Sequence, residues 1–197
     1  EATGVYHEKC AYWLFDSGAR VSVVNPARVK YYGQSLGVRS KKDSVVLARY
    51  SLTQTPMVWQ PEALEIRIVK ALASRLDAIE KDILREKNCH EKSSINLSSH
   101  TILNSIETIL FTLNKDKLHL EKLIHNHINQ YEYLKNNNAL LQTIPGVGPV
   151  LSRYMLIVLG GRTFQSASQC AAYLGLVSIQ NESGSSLRGR SRISKAG

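Results

Sequence analysis

The middle of the chain constrains the fold most, because its apolar residues recur at the spacing of long amphipathic helices. The apolar positions of a first helix are Ile68, Leu72, Leu76, Ile79 and Ile83. Those of a second helix are Ile102, Ile106, Ile109, Leu113, Leu120 and Ile124. Steps of three and four residues predict helices over about 61–92 and 100–132. Their apolar seam fits a coiled coil, in a helical hairpin or a dimer, and it equally fits the core of a globular bundle.

The first 60 residues read as alternating strands and helices. Glu1–Gly4 resembles the end of a strand, and a helix is predicted from Val5 to Ser17. Arg20–Val24 has the composition of a short strand. Asn25–Pro26 begins a second helix, because asparagine caps helices and proline favours their first position. With a third helix starting near Asp43, this order predicts a small α/β domain with a parallel pair of strands.

A glycine-rich turn follows the helical middle. The sequence TIPGVGP at residues 143–149 lies between two apolar segments, which is the helix-hairpin-helix pattern. Gly146 and Gly148 have no side chains to keep backbone N–H groups away from a phosphate. The helix that follows adds its positive dipole end. The alternative is a tight turn in which the two glycines only satisfy backbone geometry.

The end of the chain, NESGSSLRGRSRISK at residues 181–195, combines serines with cations. The cations are Arg188, Arg190, Arg192 and Lys195. Arginine binds phosphate oxygens in pairs, and a hydroxyl among arginines can attack a phosphodiester because the cations stabilise the developing charge. The alternative is a solvated basic loop without chemistry.

The positive charge of the chain is unevenly distributed. The net charge is +9, and residues 61–135 contain 11 acids and 11 bases. Residues 1–60 carry +4 and residues 136–197 carry +5. Basic ends around a neutral middle favour a polyanionic partner, nucleic acid before others. Three scattered cysteines, no secretory signal and no long apolar run predict a cytoplasmic protein that does not enter a membrane.

Several blocks of this sequence occur in an order known from one family. EATG, VSVVNP, IPGVGP and ESG with RGRSR and SKAG resemble the DEDD transposases of bacterial insertion sequences, the insertion sequence 110 type that includes Piv-type DNA invertases. The resemblance implies a partial RNase H/RuvC-like α/β domain at 1–60 and a helical coiled-coil linker at 61–135. It implies a mostly helical C-terminal transposase domain at 136–197, and so an α/β plus α fold.

The resemblance also carries functional residues to this chain. Glu1 and Asp43 match acids of the family's metal site, and Ser183 matches its nucleophilic serine. Carboxylates are ligands that Mg²⁺ prefers, so Mg²⁺ is the expected cofactor. Expected partners are DNA, a noncoding RNA of the element and further copies of the chain as a homodimer or tetramer. The residues predicted to contact nucleic acid are Gly146, Gly148, Arg188, Arg190, Arg192, Lys195, Lys41 and Lys42.

The sequence departs from the family at its acids. The family shows two aspartates three residues apart, whereas RSKKDSVVLARY contains Asp43 alone. The family's first aspartate precedes EATG. We therefore expect a truncated copy of a DNA transposase or site-specific recombinase that lacks a competent metal site. Two alternatives are a nucleic-acid-binding module without chemistry and an oligomerisation module.

Overall fold

The computed structural model describes residues 6–37, 43–96, 100–183 and 187–193. For Asp43 and most of residues 179–192 it describes the backbone alone. The helices are α1 (Glu8–Asp16), α2 (Pro26–Ser35), α3 (Asp43–Gln54), α4 (Leu64–Ile95), α5 (His100–Gln130), α6 (Glu132–Gln142), α7 (Pro149–Gly161) and α8 (Ala167–Tyr173). The strands are β1 (Ser178–Ser183) and β2 (Leu187–Ile193). The chain divides into an N-terminal unit, Glu1–Pro61, and a C-terminal unit, Glu62–Gly197.

Helix α2 packs against α3 in the N-terminal unit. The predicted start of α2 is confirmed: Asn25 Oδ1 accepts a hydrogen bond from Ala27 N at 2.8 Å, and Pro26 is the first helical residue. Gly33 allows close approach to α3, because a Cβ there would lie 3.4 Å from Val46 Cγ1. Tyr32 adds an edge contact to the ring of Tyr50. Local capping and one close contact thus fix α2 on α3.

The predicted α/β fold is wrong. Residues 20–24 are extended, but within the described part of the N-terminal unit they belong to no strand. Val21 O accepts one backbone hydrogen bond, from Trp59 N at 2.8 Å, and the Trp59 ring contacts Tyr12 and Phe15. Valine-rich composition favours an extended backbone, whereas a sheet also needs a neighbouring strand to complete the ladder. The described chain is mostly helical, and its strands form one antiparallel hairpin.

Four helices share the core of the C-terminal unit. The long helices α4 and α5 pack together, and α6 and α7 cover one end of them. The fully packed side chains are Ile66, Val69, Leu76, Ile124, Ile128, Leu134 and Leu156. The predicted seam is right at Leu76 and Ile79, which are buried, and wrong at Ile68, which is exposed. Among the described helices, none is both long and apolar enough to cross a membrane.

Polar contacts join the start of α4 to the ends of α5 and α6. The Tyr133 hydroxyl donates to Glu65 Oε1 at 2.7 Å, and His127 Nε2 lies 3.0 Å from Glu65 O. The Tyr133 hydrogen bond lowers the pKa of Glu65. Burial, reinforced by the Glu65 carboxylate, raises the pKa of Tyr133. This pair keeps Glu65 ionised in the first turn of α4, where a negative charge is favourable.

We expect Gly160→Ala to destabilise the C-terminal unit more than Gly161→Ala. A Cβ at Gly160 would lie 2.9 Å from Cγ1 of the buried Ile66, whereas one at Gly161 would meet the movable Glu62 carboxylate at 3.0 Å. Overpacking of this kind costs about 1–3 kcal/mol. Both variants change helix propensity alike, so the difference between their free energies of unfolding in urea measures the clash. Equal stabilities would contradict this packing.

Candidate nucleic-acid interface

The glycine-rich turn connects α6 to α7 and is open to solvent. Gly146 has a left-handed backbone with φ +86°, and Val147 N donates to Ile144 O at 3.0 Å. A Cβ built at Gly146 or at Gly148 would meet no atom within 4 Å. The left-handed φ requires glycine at residue 146, whereas no local contact excludes a side chain at residue 148. Open space beside both residues leaves the backbone accessible to a ligand.

The start of α7 provides hydrogen-bond donors at this turn. Gly148 is the N-cap and makes no side-chain cap, and Pro149 follows as the first helical residue. Ser152 N donates a hydrogen bond to the carbonyl oxygen of the N-cap residue, Gly148 O, at 2.9 Å. The amides of Val150 and Leu151 belong to the set that an α-helix leaves without an internal acceptor. Their positive end suits a phosphate.

A buried hydrogen-bond network holds the turn between α6 and α7. Ser152 is fully buried on α7. Its Oγ lies 2.8 Å from Asn138 Oδ1 and accepts from Gln142 Nε2 at 3.2 Å, and both partners belong to α6. The same Oγ lies 3.1 Å from Pro149 O in the first turn of α7. Ser152 therefore ties α6 directly to the residues that follow Gly148. Sequence analysis missed it, because one serine in an apolar helix gives no periodic signal.

The serine- and arginine-rich segment forms a β-hairpin rather than a bare loop. β1 and β2 pair antiparallel, with Ser183 opposite Leu187 and Glu182 opposite Arg188. Arg188 is therefore one residue along β2 from the backbone partner of Ser183. Ile179 pairs with Arg192, whereas Asn181 pairs with Gly189, so β2 contains one extra residue at a bulge.

The bulge lies on the arginine-rich strand. Arg190 falls between the pairs formed by Gly189 and Arg192, at the register irregularity. Bulges bend and twist a strand locally. The backbone thus arranges three predicted phosphate contacts along β2, while Lys195 lies outside the described residues.

The structure does not describe the side chains of the two predicted metal ligands, Glu1 and Asp43. Glu1, Lys41 and Lys42 lie outside the described residues. Asp43 is the first residue of α3, and the structure describes its backbone alone. Among described residues, no three His, Cys, Asp or Glu side chains lie close enough together to hold a metal ion.

Residues 136–197 contain two further arginines outside the hairpin, Arg153 and Arg162. Arg153 is only 8% exposed, and its Nε has no hydrogen-bond partner among described groups. Beside it, the Tyr154 hydroxyl donates to Asp77, and burial together with this bond raises the pKa of Tyr154. Arg162 stacks on the Tyr173 ring with 4.5 Å between Cζ and the ring centroid. Arg162 is exposed, and the other four bases of residues 136–197 are the three arginines of the hairpin and Lys195. Most of the positive charge of residues 136–197 therefore lies at their end.

We expect Ser152→Ala to destabilise the C-terminal unit by about 1–3 kcal/mol, because Asn138 and Gln142 would lose a buried partner. Urea unfolding measures the change. The matched control is Ser74→Ala, which removes an exposed hydroxyl from α4 and should change stability by less than about 0.5 kcal/mol. Equal effects of the two substitutions would contradict a structural role for the network.

Comparison with known proteins identifies the family. Residues 138–197, which contain the turn, α7, α8 and the hairpin, match the model of the transposase IS116/IS110/IS902 family. The whole chain is 34% identical to the pilin gene-inverting protein of Moraxella lacunata and 33% identical to that of Moraxella bovis. The alignments cover 100% of this chain and 61% of each relative, so the chain spans about three-fifths of their length. The predicted family resemblance is confirmed: residues 138–197 match the IS116/IS110/IS902 transposase family, and the whole chain is similar to the pilin gene-inverting proteins.

Proposed function

We propose that this chain binds DNA and derives from a DNA transposase or site-specific recombinase. The observation that carries the proposal is the 34% identity, over the whole chain, to a protein named for inverting a pilin gene. The open turn before α7 and the arginine-rich hairpin support it, because backbone amides and arginines are common phosphate ligands. DNA as partner and the bacterial cytoplasm as location follow from this proposal.

Ser183 is the proposed nucleophile. Its Oγ would bond to the phosphorus of a phosphodiester while the bond from phosphorus to the leaving strand oxygen breaks. The hydroxyl proton ends on that leaving oxygen, and the phosphoserine conserves the ester for rejoining. Arg188, one residue along β2 from the backbone partner of Ser183, is the candidate cation for stabilising charge on the phosphate oxygens.

Mg²⁺ is the proposed cofactor of the family reaction, with Glu1 and Asp43 as candidate ligands. When bound, such an ion would stabilise charge on phosphate oxygens. The described residues supply no further acid cluster for it. We therefore propose that this chain by itself is inactive in strand transfer, since Asp43 stands where the family has a pair of aspartates.

Self-association and an RNA partner are further parts of the proposal. Phe111 is 73% exposed on α5 and Leu84 is 60% exposed on α4, so the long helices retain apolar side chains for another copy. This exposure supports a homodimer or tetramer, and it equally favours the second candidate function, an oligomerisation module. A noncoding RNA remains a proposal from the family resemblance.

DNA binding by the chain should be strongly salt-dependent. We expect the slope of log affinity against log salt on duplex DNA to be near −0.9 for each phosphate contacted, and Arg188→Ala to remove about one contact. Fluorescence anisotropy with a labelled random-sequence duplex measures both. Arg75→Ala, which removes an exposed arginine from the neutral middle, is the control and should leave the slope unchanged. Absence of salt-dependent binding would refute the proposed function.

We expect no Mg²⁺-dependent strand transfer by this polypeptide, because Asp43 alone stands where the family has two aspartates. Any protein–DNA adduct that survives denaturation should disappear in Ser183→Ala and persist in Ser178→Ala, with duplex affinity unchanged in both. Denaturing gels with labelled duplex DNA test this. Strand-transfer products would contradict inactivity, and an adduct that persists in Ser183→Ala would contradict the nucleophile.

A further inference from the structure

Positive charge in the N-terminal unit is concentrated around α2 and α3. Residues 26–54 contain one acid, Asp43, and six bases. Their net charge of +5 is more than half of the +9 of the whole chain. The bases are Arg28, Lys30, Arg39, Lys41, Lys42 and Arg49. Residues 1–25, by contrast, contain three acids and two bases. A polyanion that approaches this unit is therefore attracted to α2, α3 and the segment between them.

Helix α2 presents one face to α3 and the opposite face to solvent. Val29 and Gly33 are buried, and the Tyr32 hydroxyl lies 2.9 Å from Thr53 Oγ1. These contacts anchor the inner face and fix the rotation of the helix about its axis. Tyr31, one residue before Tyr32, is consequently turned outward and is 68% exposed.

The neighbours of Tyr31 suit a flat ligand that carries negative charge. Ala27 and Arg28 lie one helical turn earlier and Gln34 one turn later, and all three are exposed. A helical side chain leans toward the preceding turn, which on α2 is the turn that carries the small Ala27 and Arg28. Lys30 flanks the same face. The outer face of α2, defined as Ala27, Arg28, Lys30, Tyr31 and Gln34, thus combines an accessible aromatic ring with two cations and no acid.

This chemistry favours an unpaired nucleic-acid strand over a protein. A protein interface is centred on several apolar side chains, whereas the outer face of α2 has one aromatic ring among polar groups. A duplex hides the faces of its bases, whereas an unpaired base exposes a surface that stacks on tyrosine. We propose that the outer face of α2 binds single-stranded DNA, with Tyr31 stacking on a base and Arg28 and Lys30 contacting phosphates. The inference rests on the proposed function, because cutting and rejoining DNA exposes unpaired bases.

The test compares single-stranded and duplex DNA of one sequence on the full chain. Tyr31→Ala should weaken binding to the single strand at least about fivefold and leave duplex affinity unchanged. Tyr31→Phe should restore binding, because stacking needs the ring and not the hydroxyl. The salt slope should stay unchanged in Tyr31→Ala and fall by about 0.7 in Arg28→Ala. Trp13→Ala removes an equally exposed ring from α1, within residues 1–25 where acids outnumber bases, and should change neither affinity.

The outcomes separate this inference from the proposed function. If the chain binds duplex DNA with a salt slope but Tyr31→Ala leaves single-strand affinity unchanged, the inference alone is overturned. The same follows if Tyr31→Phe is as weak as Tyr31→Ala, or if the loss appears only with RNA of that sequence. If the chain binds neither form of DNA, the proposed function fails and the inference with it. Circular dichroism of each variant verifies that α2 remains folded.

Discussion

The C-terminal unit depends on a shared apolar core into which four helices each contribute side chains. Ile66 on α4, Ile128 on α5, Leu134 on α6 and Leu156 on α7 belong to this cluster. Because this core holds α6 and α7 on the α4–α5 pair, the turn between α6 and α7 has little conformational freedom. Gly160 allows α7 to approach Ile66 of α4 closely enough for this packing.

Polar contacts then set the details that apolar packing leaves open. Apolar burial is non-directional, whereas hydrogen bonds require particular atoms at particular distances. Ser152 binds two side chains of α6 and so fixes how the first turn of α7 is presented. Tyr133 and Glu65 play a comparable part at the start of α4. The Ser152 contacts are part-buried, where an unmade hydrogen bond would be costly, whereas the Tyr133–Glu65 bond is exposed.

Both units carry a net positive charge, and in each unit it is concentrated in particular segments. In residues 136–197 Arg153 is buried and Arg162 stacks on Tyr173, and the other four bases are the three arginines of the hairpin and Lys195 after it. In the N-terminal unit the bases cluster around α2 and α3. The helical middle is neutral and retains exposed apolar groups such as Phe111. This separation agrees with the proposal that the ends contact nucleic acid and the middle contacts another copy of the chain.

The sequence by itself determined the helices, the glycine-rich turn and the family. Asn25, Pro26 and the glycines act within one helical turn, so their effects are readable locally. Only the tertiary structure decided that residues 20–24 have no strand partner among described residues, that Ile66 and Val69 rather than Ile68 face the core, and that Ser152 is buried. It also decided that the serine- and arginine-rich segment is a hairpin, which its composition does not favour. The physical reason is distance along the chain: ladder partners and buried faces depend on residues far away in sequence, whereas caps and turns do not.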